Sequence, residues 1–394
     1  MSRIGYTREK LNNDASPAPH RGMAQAALHK IESNGRFIKV MAALMNLCQD
    51  NVEGGRLQIQ GTDLTKDGHK VFLSGANLAW FTREISVTTS TSKSEVGWRG
   101  ISESCTKPEE THNPPTLPVS YTDFVLLLGL WLHIEGETTP KFDSDGYVTG
   151  LDNGGTLVGD LKEMLTYAAQ HDVIVFITLW KGAISQCKHY RLNGLSRDTA
   201  KLQSYIDHAL VPMVKELKDL PGLGGWDLMN EPEGELIPRT HNYDPCFDTS
   251  GLSGPGWAGT LYSYQEILRF LNWQAAAIKD VDPHAMVSVG AWNARSDTDQ
   301  FGNHNHFTDE CLIKAGGRRQ GTMSFYQFHS YAWHGRFDST SPFKHSANEY
   351  RLDKPIEIGA FRQRGSEGMT IRQMFEHAYS SYAGAWSWQA NEDS

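Results

Sequence analysis

The 394-residue chain has no run of 18 or more apolar residues, which excludes a membrane-spanning helix as its organising feature. It also lacks an excess of basic charge: 37 Lys and Arg stand against 46 Asp and Glu, for a net charge of −9. With the basic residues scattered, no footprint for nucleic acid or an anionic membrane is present. Cysteine is scarce, at five residues. Cys48, Cys105, Cys187, Cys246 and Cys311 show no CxxC and no metal spacing, and their odd number leaves at least one thiol unpaired within the chain. Cys187 and Cys246 fall in two strand-to-helix loops on one expected face, so a bridge between them is the expectation. There is no Asn-x-Ser/Thr sequon, and the first 22 residues are polar and charged, unlike a secretory leader. His304 and His306 alternate in a polar loop without a carboxylate or third histidine at ligand spacing, so they read as solvated, and no metal is expected.

What is present is a rhythm of short apolar runs. Val71–Trp80, Phe124–Ile134, Val173–Trp180, Leu223–Glu231, Met286–Trp292, Phe325–Trp333, Ile356–Phe361 and Ala383–Trp388 make eight candidate strands. Each gap between them is long enough for the helical crossover that parallel pairing requires. Three gaps carry helical periodicity: Leu157 to Ala168, Leu202 to Leu217 with an expected kink at Pro212, and Tyr264 to Ile278. The pattern predicts an α/β fold, a (β/α)8 TIM barrel. An open doubly wound sheet is the alternative, but no Gly-rich phosphate loop follows the first strand. Residues 56–60 and 70–73 flank Asp67-Gly68 and predict an N-terminal β-hairpin at the barrel bottom. Residues 1–54 read as an extension with one short helix, and 55–394 as the barrel domain. Within that domain, 81–123 is an irregular Ser/Thr- and Pro-rich insertion, a long loop or a disordered segment.

Parallel barrels build their sites at the C-terminal tips of the strands. There the fourth run ends Trp226-Asp227-Leu228-Met229-Asn230-Glu231-Pro232, placing a carboxyl beside an amide, which suits general acid/base cleavage of a glycosidic bond. The other tips read Trp131-Leu132-His133-Ile134-Glu135-Gly136-Glu137, Thr178-Leu179-Trp180, Gln327-Phe328-His329-Ser330-Tyr331 and Gly384-Ala385-Trp386-Ser387-Trp388-Gln389. Together, and in this order, they resemble the endo-β-1,4-mannanases of glycoside hydrolase family 5, the molluscan and arthropod type most of all. The resemblance spans about residues 55–390, leaving out 81–123.

That resemblance implies a retaining hydrolase in which two carboxyls about 5 Å apart serve as acid/base and nucleophile. Glu231 matches the acid/base and Asn230 a ligand of the sugar 2-hydroxyl. His329 and Tyr331, two apart on one strand, share a face and are placed to orient nucleophile and sugar. Trp386 matches the platform beneath the sugar. Trp131, His133, Trp180 and Trp292 are candidates for cleft walls, with buried packing as the equal alternative. No cofactor is implied. The expected partner is β-mannan, acted on by a monomer, and an extracellular location follows from the resemblance alone.

The chain departs from the pattern twice. Where the family has Ile-Gly-Glu-Phe, with Glu the nucleophile, this chain has Ile358-Gly359-Ala360-Phe361, and alanine carries no attacking oxygen. Strand alternation directs Glu357, three residues away, to the helix side. Where the family has an arginine supporting the nucleophile, this chain has Gly129. Three origins fit Ala360: an engineered knockout, a natural loss, or a decayed or faulty gene. The functional readings are an impaired mannan hydrolase, a mannan-binding protein without catalysis, and a β-1,4-glucanase of the same family.

Overall fold

The computed structural model describes residues 55–78, 124–134, 136, 139–182, 189–252, 254–259 and 261–388. The 1–54 extension, the whole 81–123 insertion and Cys187 lie outside the described residues. Eight parallel strands close into a barrel in sequence order. They are β4 (Phe72–Leu78), β5 (Phe124–Trp131), β8 (Val173–Lys181), β9 (Leu223–Asn230), β10 (Val287–Ala291), β11 (Tyr326–His329), β12 (Ile356–Phe361) and β13 (Gly384–Ser387). All eight expected strands are therefore present, and the barrel is a (β/α)8 TIM barrel.

Between them run α1 (Leu157–Ala169), α2 (His189–Arg197), α3 (Thr199–Tyr205), α4 (Val211–Leu217), α5 (Tyr264–Val281), α6 (Asp309–Gly316) and α7 (Ile371–Tyr379). Alternation along the strands sorts the core into two layers. Leu126, Val175, Trp226, Phe328 and Ile358 pack outward under the helices. Leu73, Leu127, Ile174, Phe176, Phe325 and Trp386 fill the interior. Among the described residues no helix is long and apolar enough to cross a membrane.

The N-terminal hairpin is one strand larger than expected. β1 (Leu57–Gln60), β2 (Asp63–Lys66) and β3 (His69–Lys70) form an antiparallel three-stranded sheet, and β6 (Lys141–Phe142) and β7 (Val148–Gly150) a separate antiparallel pair after β5. The second turn of the three-stranded sheet is Asp67-Gly68, both left-handed at φ 54° and 80°, the backbone that matches the twist of a tight hairpin. Leu57 and Leu64 join Val125, Ile174, Met286 and Phe325 in the inner cluster, so the sheet closes the N-terminal mouth of the barrel. Arg56 fastens it with two hydrogen bonds, at 2.9 and 2.6 Å, to the Asp282 carboxylate at the end of α5.

The expected kink at Pro212 takes a specific form. Proline cannot donate to the carbonyl four residues back and its ring crowds it. Residues Ile206–Leu210 therefore widen into a π turn between α3 and α4, and the Val211 N–H reaches back five residues to the Ile206 carbonyl.

Two further expectations are corrected. Cys246 bonds to Cys311, not to Cys187, tying the loop after β9 to the start of α6. Closing a loop of 65 residues removes about 4 kcal/mol of chain entropy from the unfolded state. His306 is not solvated: it is buried, its Nδ1–H donates to the Cys246 carbonyl at 3.1 Å, and its ring packs on Tyr264. Burial lowers its pKa to about 4.

α5 begins with a reciprocal cap, in which the Ser263 hydroxyl accepts from the Glu266 N–H and the Glu266 carboxylate accepts from the Ser263 N–H. Replacing Ser263 with alanine is expected to lower unfolding free energy by about 1 kcal/mol, measured by urea denaturation with unchanged m-value.

Candidate active site

The strand tips of β9 and β11 meet across β10. Just past β9, Glu231 takes a left-handed backbone, φ 46°, as the chain breaks from the strand into the 3-10 turn Pro232–Glu235. Such a conformation costs a bulky residue about 1 kcal/mol, and the Glu231 N–H bond to the Gly290 carbonyl holds it. The side chain lies over the barrel mouth with Oε1 2.8 Å from Nδ1 of His329. One hydrogen lies between those two atoms, carried by the imidazole or by the carboxyl according to the tautomer.

Space for this contact is made by glycines. A Cβ at Gly290 would stand 2.7 Å from His329 Nε2, and one at Gly359 would stand 2.3 Å from Gln327 Cγ. Gln327 fills that space and places Oε1 3.2 Å from His329 Nε2. Beneath them lies Asp227, whose carboxyl accepts from Thr178 Oγ1 at 3.1 Å and from the Gly290 N–H at 3.0 Å. Burial raises its pKa to about 7, against the opposing pull of His329 and these donors.

On the other side of His329, β12 places Ala360 directly in register. Paired residues of neighbouring strands share a face, so Ala360 shares the face of His329, and it is fully buried. Gly129 is also occupied territory: a Cβ there would stand 2.2 Å from Asn77 Oδ1. Asn77 in turn donates through Nδ2 to the Gly359 carbonyl at 3.0 Å. The amide of Asn77 thus occupies the space above Gly129.

The expected direction of Glu357 is overturned. Ile356 and Ile358 lie in the outer layer, whereas Glu357 pairs with Gly384 and lies beside Trp386 in the interior. The register of β12 slips between Ile358 and Phe361, so three residues of separation no longer mean opposite faces. Burial drives the Glu357 carboxyl well above the usual range and keeps it neutral.

The aromatic candidates separate by depth. Trp386 is only 1% exposed and packs on Phe176 inside the barrel, one layer too deep to carry a sugar. Two residues on, Trp388 is half-buried at the rim with its ring against Trp131. Trp180 and His133 are also removed from the cleft. The Trp180 indole donates to Gln274 Oε1 of α5 at 2.9 Å. His133 is held by Thr139 and Tyr205, and burial lowers its pKa to about 3. Tyr331 lies beyond the end of β11, so strand alternation does not set its direction; its ring lies near the Arg362 guanidinium. Asn230 ends β9, buried at the tip. Trp292 is half-buried beside the exposed Trp257, and its N–H donates to Glu233 Oε2 at 3.0 Å.

No family model matches the chain. A mannan endo-1,4-β-mannosidase of Mytilus edulis is 52% identical over 343 residues, covering 86% of this chain and 88% of that protein. One from Cryptopygus antarcticus is 36% identical over 344 residues, covering 85% of this chain and 84% of that protein. The chain belongs to this family, the mannan endo-1,4-β-mannosidases. The crystal structure of a β-1,4-mannanase from the sea hare Aplysia kurodai superposes with a TM-score of 0.73 at 45% identity, covering 84% of this chain and 92% of that one. By family the chain is a glycoside hydrolase.

In this mannanase-family chain, sequence reasoning passed over Asp227, Gln327, Asn77 and Trp388. A signal existed for the first two: a polar residue on the inward face of an otherwise apolar barrel strand is costly unless it is bonded. None existed for Asn77, whose partner Gly129 lies on another strand.

Because the folded pKa of Asp227 is raised above its ordinary value, its contribution to stability is full below about pH 4 and is lost as pH rises through about 7. Asp227→Asn, which keeps an acceptor for the Gly290 N–H, is expected to flatten the fall in stability between those values. Urea unfolding at a series of pH values checks this; an unchanged slope would sink the assignment.

Proposed function

We propose that this chain keeps the mannan-binding cleft of its family while cleavage of internal β-1,4-mannosidic bonds is strongly impaired. In this reading the cleft is that of a retaining enzyme of glycoside hydrolase family 5. Glu231 is the acid/base, hydrogen-bonded to His329, and Asn230 a ligand of the sugar. Ala360 stands at the nucleophile position. The observation that carries the reading is the register of β11 and β12: Ala360 sits across from His329, the residue that holds Glu231, and has no oxygen to attack the anomeric carbon. Glu357 does not replace it, being neutral and enclosed beside Trp386 in the barrel core. Loss of an essential nucleophile costs about 10⁴-fold or more in turnover.

Mannan as the ligand rests on the family, in which the Mytilus and Cryptopygus relatives are named as mannan endo-1,4-β-mannosidases. The platform role passes from Trp386 to Trp388, which the rim leaves half-exposed against Trp131. Action as a monomer in the extracellular space belongs to the same reading.

The test compares the chain with Ala360→Glu and with the double variant Ala360→Glu, Gly129→Arg. Reducing-sugar release from glucomannan and galactomannan is measured beside retention on insoluble mannan. The parent chain is expected to be retained without cleaving, and Ala360→Glu to gain cleavage. The double variant is expected to gain more, because the arginine supplies the support the family gives its nucleophile; the Asn77 amide oxygen, 2.2 Å from a Cβ at 129, has to move to admit it. Cleavage by the parent chain at a family-like rate would overturn the nucleophile assignment. Retention on cellulose with none on mannan would favour the glucan alternative.

A further inference from the structure

The Cys246–Cys311 disulfide lies beside His304, which the sequence pattern read as a solvated loop histidine. The sulfurs of Cys246 and Cys311 and one nitrogen of His304 lie within 4.8 Å of one another. His304 Nδ1 donates to the Asp299 carboxylate at 3.0 Å. That bond fixes the tautomer, so in the neutral ring the lone pair is on Nε2. Nε2 is buried with no hydrogen-bond partner. Among the described residues this nitrogen has no partner, which is costly for a buried polar atom, and its ring belongs to the same cluster as the two sulfurs.

We propose that, when the disulfide is reduced, Cys246, Cys311 and His304 form a zinc site. Two thiolates and an imidazole are a donor set that suits zinc. A tetrahedral ion needs sulfur–sulfur spacing of about 3.8 Å and sulfur–nitrogen spacing of about 3.5 Å. The three atoms are already gathered on that scale, and breaking the S–S bond frees the two sulfurs to separate. The Asp299 carboxylate on Nδ1 is the outer partner that orients a metal-bound histidine and raises its basicity. The fourth ligand is a water admitted as the two sulfurs separate.

The reaction balances with a dithiol as reductant. The dithiol gives two electrons and two protons, the Cys246–Cys311 bond breaks to two thiols, and the reductant becomes its own disulfide. Zinc then displaces both thiol protons to the solvent. The same two loops are thus tied by a covalent bond in an oxidising compartment and by zinc in a reducing one. Sequence spacing hides such a site, since 58 residues separate Cys246 from His304; the cysteine pairing brings them together.

The experiment uses the full chain with its disulfide opened by a phosphine reductant and opening verified by thiol titration. Zinc content after gel filtration and cobalt absorption spectra are recorded for the oxidised chain, the reduced chain, His304→Ala and Asp299→Asn. The reduced chain is expected to hold one zinc that the oxidised chain does not, and its cobalt form to show thiolate charge transfer. His304→Ala is expected to bind at least tenfold more weakly, and Asp299→Asn about tenfold more weakly. Both variants keep the cysteines, so oxidised samples with the parent's near-UV spectrum show that they fold. Recovery of that spectrum by zinc, should reduction alone unfold the chain, supports the proposal. Equal zinc binding by His304→Ala, zinc uptake that leaves a reduced chain unfolded, no uptake at all, or a disulfide that cannot be opened in the presence of zinc would each overturn it.

Discussion

A closed barrel of eight strands has one interior, and every inward side chain competes for it. In this chain that competition is settled by glycines. Gly290 makes room for the His329 ring, Gly359 for Gln327, and Gly129 for the Asn77 amide. Each glycine lies on one strand and serves a side chain from a neighbour, so the polar layer under the barrel mouth is assembled between strands. The Glu231–His329 contact depends on this arrangement. With a Cβ at 290 the imidazole could not lie where it does, and Glu231 would lose its hydrogen-bond partner.

The same constraint shapes the layer around position 360. A small residue on the inner face leaves a void or draws in a neighbour. Here Asn77 reaches across to the Gly359 carbonyl and occupies the space over Gly129. Ala360 is fully buried. The barrel has closed over the position and satisfied its polar groups with an amide.

A second layer of organisation lies outside the barrel. The loop after β9 carries Glu233, Trp257 and Cys246, and it is joined to the Glu231 turn through backbone bonds from Gly256 to Glu233 and from Ala258 to Gly234. The Cys246–Cys311 bond anchors the far end of this loop to α6. Whatever ties those two sulfurs therefore helps to hold the wall beside the acid.

The sequence alone determined the barrel. Eight apolar runs with long gaps permit few architectures, because parallel strands need crossovers and sheet closure hides every edge. The tip motifs pointed to Glu231, Asn230, His329 and Ala360, because residues at strand ends keep their place whatever the loops do. Depth and direction were decided only in the tertiary structure. Trp386 and Trp388 differ by two positions and read alike, yet one is core and the other rim, because strand twist and the end of β13 set the layer. Glu357 turned inward because a register slip broke the alternation on which its expected direction rested. Cys246 found Cys311 because the loops after β9 and β10 lie side by side, a proximity between distant segments that no local pattern encodes.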